Sequence, residues 1–113
     1  NVYILRVIED SKTIVEQSAG KNVVCIGAAF IGMELSSALS KTAASVTVVC
    51  KTEEPLPTLG TDLGAVIRKR FETKGVKVYV NAQTERIEGE DHVTGVHLKS
   101  GETIPADMVV AAI

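Results

Sequence analysis

The stretch NVVCIGAAFIGMELSSAL, Asn22 to Leu39, sets an apolar run directly before a glycine turn and an amphipathic segment directly after it. A short continuous apolar run is typical of a parallel strand buried on both faces. Beyond the turn, Ile31, Leu35, Ala38 and Leu39 recur at helical spacing, so one face of a helix packs on a sheet. SVTVVC, Ser45 to Cys50, is a second β-branched run. Together these segments make a βαβ unit of about 30 residues. No other part of the chain restricts the fold as strongly.

The remainder extends that unit. Asp10 is placed to cap a first helix running to about Ala19, with Ile14 and Val15 apolar and Gly20 as a stop. EEPLPTLG carries two prolines and reads as loop. Helix signals resume at Thr61, where Leu63, Val66, Ile67 and Phe71 share a face and Gly75 ends the run. VKVYV is another strand. After it the period changes to two: Ile87, then Val96 and Leu98, then Ile104 mark short strands separated by the turns GEDH and KSGE. DMVVAAI closes the chain as a continuous apolar strand. The order predicts an α/β fold, a Rossmann-like parallel sheet with flanking helices crossed by an antiparallel three-stranded meander.

At 113 residues the chain is one domain at most, long enough to bury a core. Aromatic residues are only 4% of it, so aliphatic side chains must build that core. Twelve basic and fourteen acidic residues leave a net charge of −2 with no long run of either sign, which speaks against a nucleic-acid or anionic-lipid surface. Cys25 and Cys50 sit inside apolar runs and no C-x-x-C occurs. Two buried thiols of an intracellular protein are expected rather than a disulfide. No apolar run approaches the roughly 20 residues of a membrane span, and no secretory signal opens the chain. The compartment, mitochondrial or cytoplasmic, is not distinguished.

The glycine turn invites a phosphate ligand. The first turn of a helix offers unpaired backbone N–H groups and the positive end of its dipole, both of which suit a pyrophosphate. In G-x-G-x-x-G terms Gly27 makes the tight turn, Ala29 stands where the middle glycine faces the pyrophosphate, and Gly32 lets the helix approach the sheet. One methyl group at Ala29 is expected to shift the phosphates or weaken binding without abolishing it. The same segment also reads as a βαβ unit with a tight turn and no ligand. About 20 residues beyond the glycines an acidic residue usually binds the ribose hydroxyls of NAD. That place is held by Cys50, followed by Lys51. Lys51 is either an attractor of a 2′-phosphate or a solvated strand-end lysine. Glu53 and Glu54 lie just beyond, within reach of the ribose or simply solvated.

GAAFIGMEL, VTVV, EEPLPTLGTDLGAVIRKRFETKGVKVY and SGETIPADMVVAAI resemble the NAD(H)-binding domain of FAD-dependent pyridine nucleotide-disulfide oxidoreductases. The ferredoxin-reductase and apoptosis-inducing-factor branch is the most similar, and the resemblance covers essentially the whole chain. It implies an excised fragment of a flavoprotein, with 1–20 as linker and first helix, 21–80 as the βαβ unit with the following helix and strand, 81–105 as the meander and 106–113 as the return strand. FAD would belong to the full-length protein and not to this fragment. The partners implied are the missing FAD and C-terminal domains of the same chain and an iron–sulfur electron acceptor.

Carried over by position, the resemblance assigns Gly27, Ala28, Ala29, Phe30, Ile31, Gly32, Glu34, Cys50 and Lys51 to cofactor binding. Phe30 matches the aromatic residue beside the flavin, or is a core aromatic. Glu34 matches the glutamate near the nicotinamide, or is an acid in the first helical turn that answers the helix dipole. Gly32 favours NAD(H) over NADP(H), while Cys50 departs from the usual acid and pulls the other way. No catalytic residue is expected in the fragment, and no metal: His92 falls in a turn and His97 faces outward, without ligand-spaced partners. Ser36, Ser37 and Ser40 lack a nucleophile turn or a paired base. Arg68, Lys69 and Lys74 read as a solvated face near a helix C-terminus. The expected activity is hydride transfer from NAD(P)H to FAD in the full protein. A non-catalytic NAD(H)-binding or interaction module is the alternative, and an S-adenosylmethionine site fits the meander poorly.

Overall fold

Val23, Val24 and Cys25 are consecutive and all buried, because alternate side chains of one strand enter two different cores. The computed structural model describes residues 2–4, 8–27, 30–56, 59–90 and 92–111. Its elements run β1 (Val2–Ile4), α1 (Ile8–Gln17), β2 (Asn22–Ile26), α2 (Phe30–Leu39), β3 (Ser45–Val49), α3 (Thr61–Thr73), β4 (Lys77–Tyr79), β5 (Thr84–Gly89), β6 (Val93–Leu98), β7 (Thr103–Pro105) and β8 (Met108–Ala111). Five strands form a parallel sheet in the order β1-β8-β2-β3-β4, and β5-β6-β7 form a separate antiparallel sheet.

The helices share one face of the parallel sheet. Ile14 of α1, Met33, Leu35 and Leu39 of α2, and partly buried Ile67 and Phe71 of α3 meet Val23, Cys25, Val46, Val48, Met108 and Val110 there. The meander covers the other face, where Val93, Val96, Leu98 and Ile104 pack on Val24, Val49 and Val109. Each such side chain contributes roughly 1.5–3 kcal/mol of burial, so the two layers hold the sheet between them. β8 returns to the middle of the sheet and its Met108, Val109 and Val110 are fully buried. At the N-terminal strand ends, Asn22 donates from its backbone N–H and its side-chain amide to one Asp107 carboxylate oxygen, both at 3.0 Å. Ser45 Oγ in turn donates to Asn22 Oδ1 at 2.7 Å. This small polar network registers β8, β2 and β3 at the edge opposite their C-terminal ends.

Several local expectations are corrected. Val2–Ile4 is an edge strand paired with β8 and not only a lead-in to the first helix. Asp10 lies inside α1, which opens at Ile8, so it is not the cap. On α2 the sheet-facing side chains include Leu35, Leu39 and Met33, whereas Ala38 is exposed. On α3 the buried side is turned by one residue: Gly64, Ile67 and Phe71 face inward, while Leu63 is 48% and Val66 55% exposed. The rotation follows from the loop before α3, which lies over Gly64. A Cβ there would stand 2.6 Å from the Pro55 carbonyl oxygen and 2.8 Å from Glu54 Cβ. Only a residue without a side chain lets loop and helix meet so closely.

Candidate functional site

The C-terminal ends of β2, β3 and β4 form one edge. Gly27 follows β2 with φ +108°, a conformation that L side chains rarely adopt, and its N–H donates to the Val49 carbonyl at 2.9 Å. The glycine is therefore bound to the last residue of β3 while it turns the chain toward α2, which starts at Phe30. Ala28 and Ala29 lie outside the described residues, as do the side chains of Phe30 and Ile31, and of Gly32 only its place in α2 is described. Glu34 is exposed and sits in the second turn of α2. The expectation of an acid in the first turn is thus corrected, and the helix dipole, which acts within that turn, does not account for it.

Cys50 turns inward. It is 2% exposed and belongs to the helix-side core, and its Sγ lies 3.0 Å from Thr52 Oγ1. Its backbone is tied to the chain after β4: the Cys50 N–H donates to the Tyr79 carbonyl at 2.8 Å and its carbonyl accepts from Ala82 at 2.9 Å. Asn81, in the left-handed region at φ +51°, adds a bond from its N–H to the Thr52 carbonyl at 2.9 Å. Lys51 is exposed. Of the pair at the strand end, the lysine alone offers its side chain to a ligand.

Two grooves open on this edge and share Lys51 and Asn81. One, of about 430 Å³, is lined by Lys51, Thr52, Glu53, Glu54, Gly60, Thr61 and Asn81. The other, of about 400 Å³, runs toward the β6–β7 turn and includes Tyr79, Gln83, Lys99, Ser100 and Glu102. Glu54 is not free within the first. Arg68 donates to it from Nε at 2.6 Å and from Nη2 at 3.1 Å, and from Nη1 to Glu72 at 2.9 Å. This fork holds the Glu54 carboxyl below its ordinary value and raises Arg68. Arg68 is thus a partly buried clamp on the loop and not part of a solvated face. Nothing local in the sequence announced it, since Glu54 is fourteen residues away. Asn81 and Thr52 also escaped the sequence reading, because only tertiary contacts bring the two strand-end segments together.

The other candidates resolve simply. Cys25 and Cys50 are both buried and free, as expected. Burial pushes the Cys25 thiol up to about 11, against a smaller opposing effect of its hydrogen bond with Ser36. His97 faces away from the meander core as alternation requires, with Nδ1 2.8 Å from Thr103 Oγ1 and 3.6 Å from Glu88 Oε1. Among the described residues no three His, Cys, Asp or Glu side chains gather as a metal site, and no helix is long and apolar enough to cross a membrane.

Comparison with known proteins bears on this edge. The model of the family described as pyridine nucleotide-disulphide oxidoreductase matches residues 1–113. The chain is 36% identical to apoptosis-inducing factor 3 of Homo sapiens over 115 residues, all of this chain and 19% of that protein. It is 33% identical to the ferredoxin–NAD(+) reductase component of the biphenyl dioxygenase system of Paraburkholderia xenovorans, over 99% of this chain and 28% of the relative. A ferredoxin reductase of Rhodopseudomonas palustris superimposes with a TM-score of 0.88 at 28% identity, covering 98% of this chain and 28% of that one. The chain therefore spans from about a fifth to just over a quarter of the length of these proteins.

Proposed function

Because the chain belongs to the pyridine nucleotide-disulphide oxidoreductases, we propose that it is the NAD(P)H-binding domain of an FAD-dependent reductase. The observation that carries this reading is Gly27: a left-handed glycine at the C-terminal end of β2, bonded to β3 and leading into α2. That backbone fits a pyrophosphate, because the first turn of α2 brings unpaired N–H groups to the same sheet edge. The grooves beside Lys51 supply room for the adenosine end along the same edge.

When bound, the nicotinamide would supply a hydride for a flavin, chemistry that belongs to the cofactors. The role of this chain is to hold and orient. In the proposed arrangement Gly27 to Gly32 receive the phosphates, Phe30 and Glu34 lie toward the nicotinamide, and Lys51 with its neighbours surrounds the adenosine ribose. NAD(H) is the proposed nucleotide, in keeping with the NAD(+) named for the reductase relatives. The FAD and C-terminal domains are proposed to lie elsewhere in a longer protein, and an iron–sulfur protein is the proposed acceptor. Without flavin the chain is proposed to bind nucleotide and not to turn over.

Calorimetric titration of the chain with NADH tests the reading. Saturable one-to-one binding below millimolar concentration is expected, and absence of heat at millimolar NADH and NADPH overturns it. In the proposed full-length flavoprotein, NADH should bleach the yellow flavin spectrum under nitrogen.

A further inference from the structure

We propose that Glu53 is the residue that reads the adenosine ribose and makes the site prefer NADH to NADPH. This rests on the reading of the chain as a nucleotide-binding domain. The usual solution is a carboxylate at the end of the second strand of the βαβ unit, which accepts hydrogen bonds from the ribose hydroxyls and repels a 2′-phosphate. Here that position is Cys50, and its thiol is buried in the helix-side core and engaged with Thr52. It presents no acceptor to the edge where Gly27 lies.

Two carboxylates follow on the same loop, and the structure separates them. Both oxygens of Glu54 are taken by Arg68, at 2.6 Å and 3.1 Å. A ribose would have to break a forked, charge-assisted pair to recruit it. Glu53 is exposed and lines the groove of about 430 Å³ together with Lys51 and Asn81. Its loop is well held: Thr52 Oγ1 donates to the Glu54 carbonyl at 2.6 Å, Asn81 bonds the Thr52 carbonyl at 2.9 Å, and Gly64 lets the loop lie against α3. Gly27 and the groove share the C-terminal edge of the sheet, because Gly27 bonds Val49 and Lys51, two residues further on, lines the groove. A dinucleotide whose pyrophosphate turns at Gly27 carries its ribose past Lys51 to this loop. The acid has moved three residues along the chain, and the Glu54–Arg68 pair holds the segment that presents it.

The charges set the direction of preference. Lys51 would attract a 2′-phosphate, but that phosphate would enter a groove that also holds the Glu53 carboxylate. The two free hydroxyls of an unphosphorylated ribose suit the carboxylate and leave the lysine solvated. Titrating the chain and its variants with NADH and with NADPH tests this directly. Glu53→Gln is expected to weaken NADH about tenfold, the loss of a hydrogen bond to a charged group, and to leave or improve NADPH affinity. Lys51→Ala is expected to widen the preference for NADH. Glu16→Gln, which removes an exposed carboxylate of α1 that lines neither groove, should leave the ratio unchanged. If Glu53→Gln binds both nucleotides like the parent, or if the parent binds NADPH at least as tightly as NADH, the assignment of Glu53 is overturned while the domain's function stands. A parent that binds neither overturns the function as well.

Discussion

Arg68 holds two carboxylates at once, and the bond to Glu54 is the one that ties distant parts of the chain together. Its side chain is 24% exposed and that of Glu54 15%, so the pair is shielded from full screening by water. The hydrogen bond from Arg68 is the largest cause of the lowered Glu54 pKa. A carboxyl with a folded value below its unfolded one contributes stability that is present above its ordinary value of 4.5 and lost as the pH falls through the lowered value. The melting temperature should therefore drop as the pH is taken below 4.5, and part of that drop should vanish in Arg68→Met, which has no partner to lose. Equal acid sensitivity of parent and variant would show that Glu54 is not titrating against Arg68. At this scale the sequence was only half legible. Buried thiols at Cys25 and Cys50 follow from apolar surroundings, whereas the inward turn of Cys50 at the C-terminal edge of the sheet does not.

Among the elements, α3 shows what periodicity can and cannot tell. Its existence, and its stop at Gly75 with φ +92°, follow from the helical pattern and the terminating glycine. Its rotation does not, because Leu63, Val66, Ile67 and Phe71 form one plausible apolar stripe and the loop at Glu54 and Pro55 selects only part of it. Gly64 is the contact that fixes the choice. Gly64→Ala is expected to destabilise the chain by about 1–3 kcal/mol through overpacking, although alanine is the better helix former. Thermal melts of the two proteins measure this, and a variant that melts higher than the parent would mean that the loop simply lifts away. The meander was more legible, since its period of two and its two turns are local features. Val96, Leu98 and Ile104 do face the sheet.

Across the whole molecule, a single parallel sheet is closed by helices on one face and by an antiparallel sheet on the other. Cys25 sits at the centre of this sandwich, fully buried, with its pKa raised from 9.0 to about 11. The folded thiol stays protonated where an unfolded one ionises, so its contribution to stability is present below pH 9 and lost as the pH rises toward 11. Cys50 is nearly as buried. Neither thiol should react with a neutral alkylating reagent at pH 8 in the native state, and the two should become reactive together, at the rate of global opening. Rapid labelling of either thiol under conditions where circular dichroism shows a folded protein would contradict this, by revealing local opening of one layer.

The sequence by itself determined the strand–turn–helix, the parallel βαβ unit, the meander and the place of the glycine turn. These are written in spacing and in glycine, properties that act between near neighbours. Tertiary structure alone decided that β8 is inserted between β1 and β2, that Cys50 turns into the core, that Arg68 binds Glu54 and that Leu63 stays outside. Each of these depends on which distant segment reaches a residue first, as when Asp107 meets Asn22 across 85 positions. Burial and charge pairing are settled by such encounters, and local pattern carries no record of them.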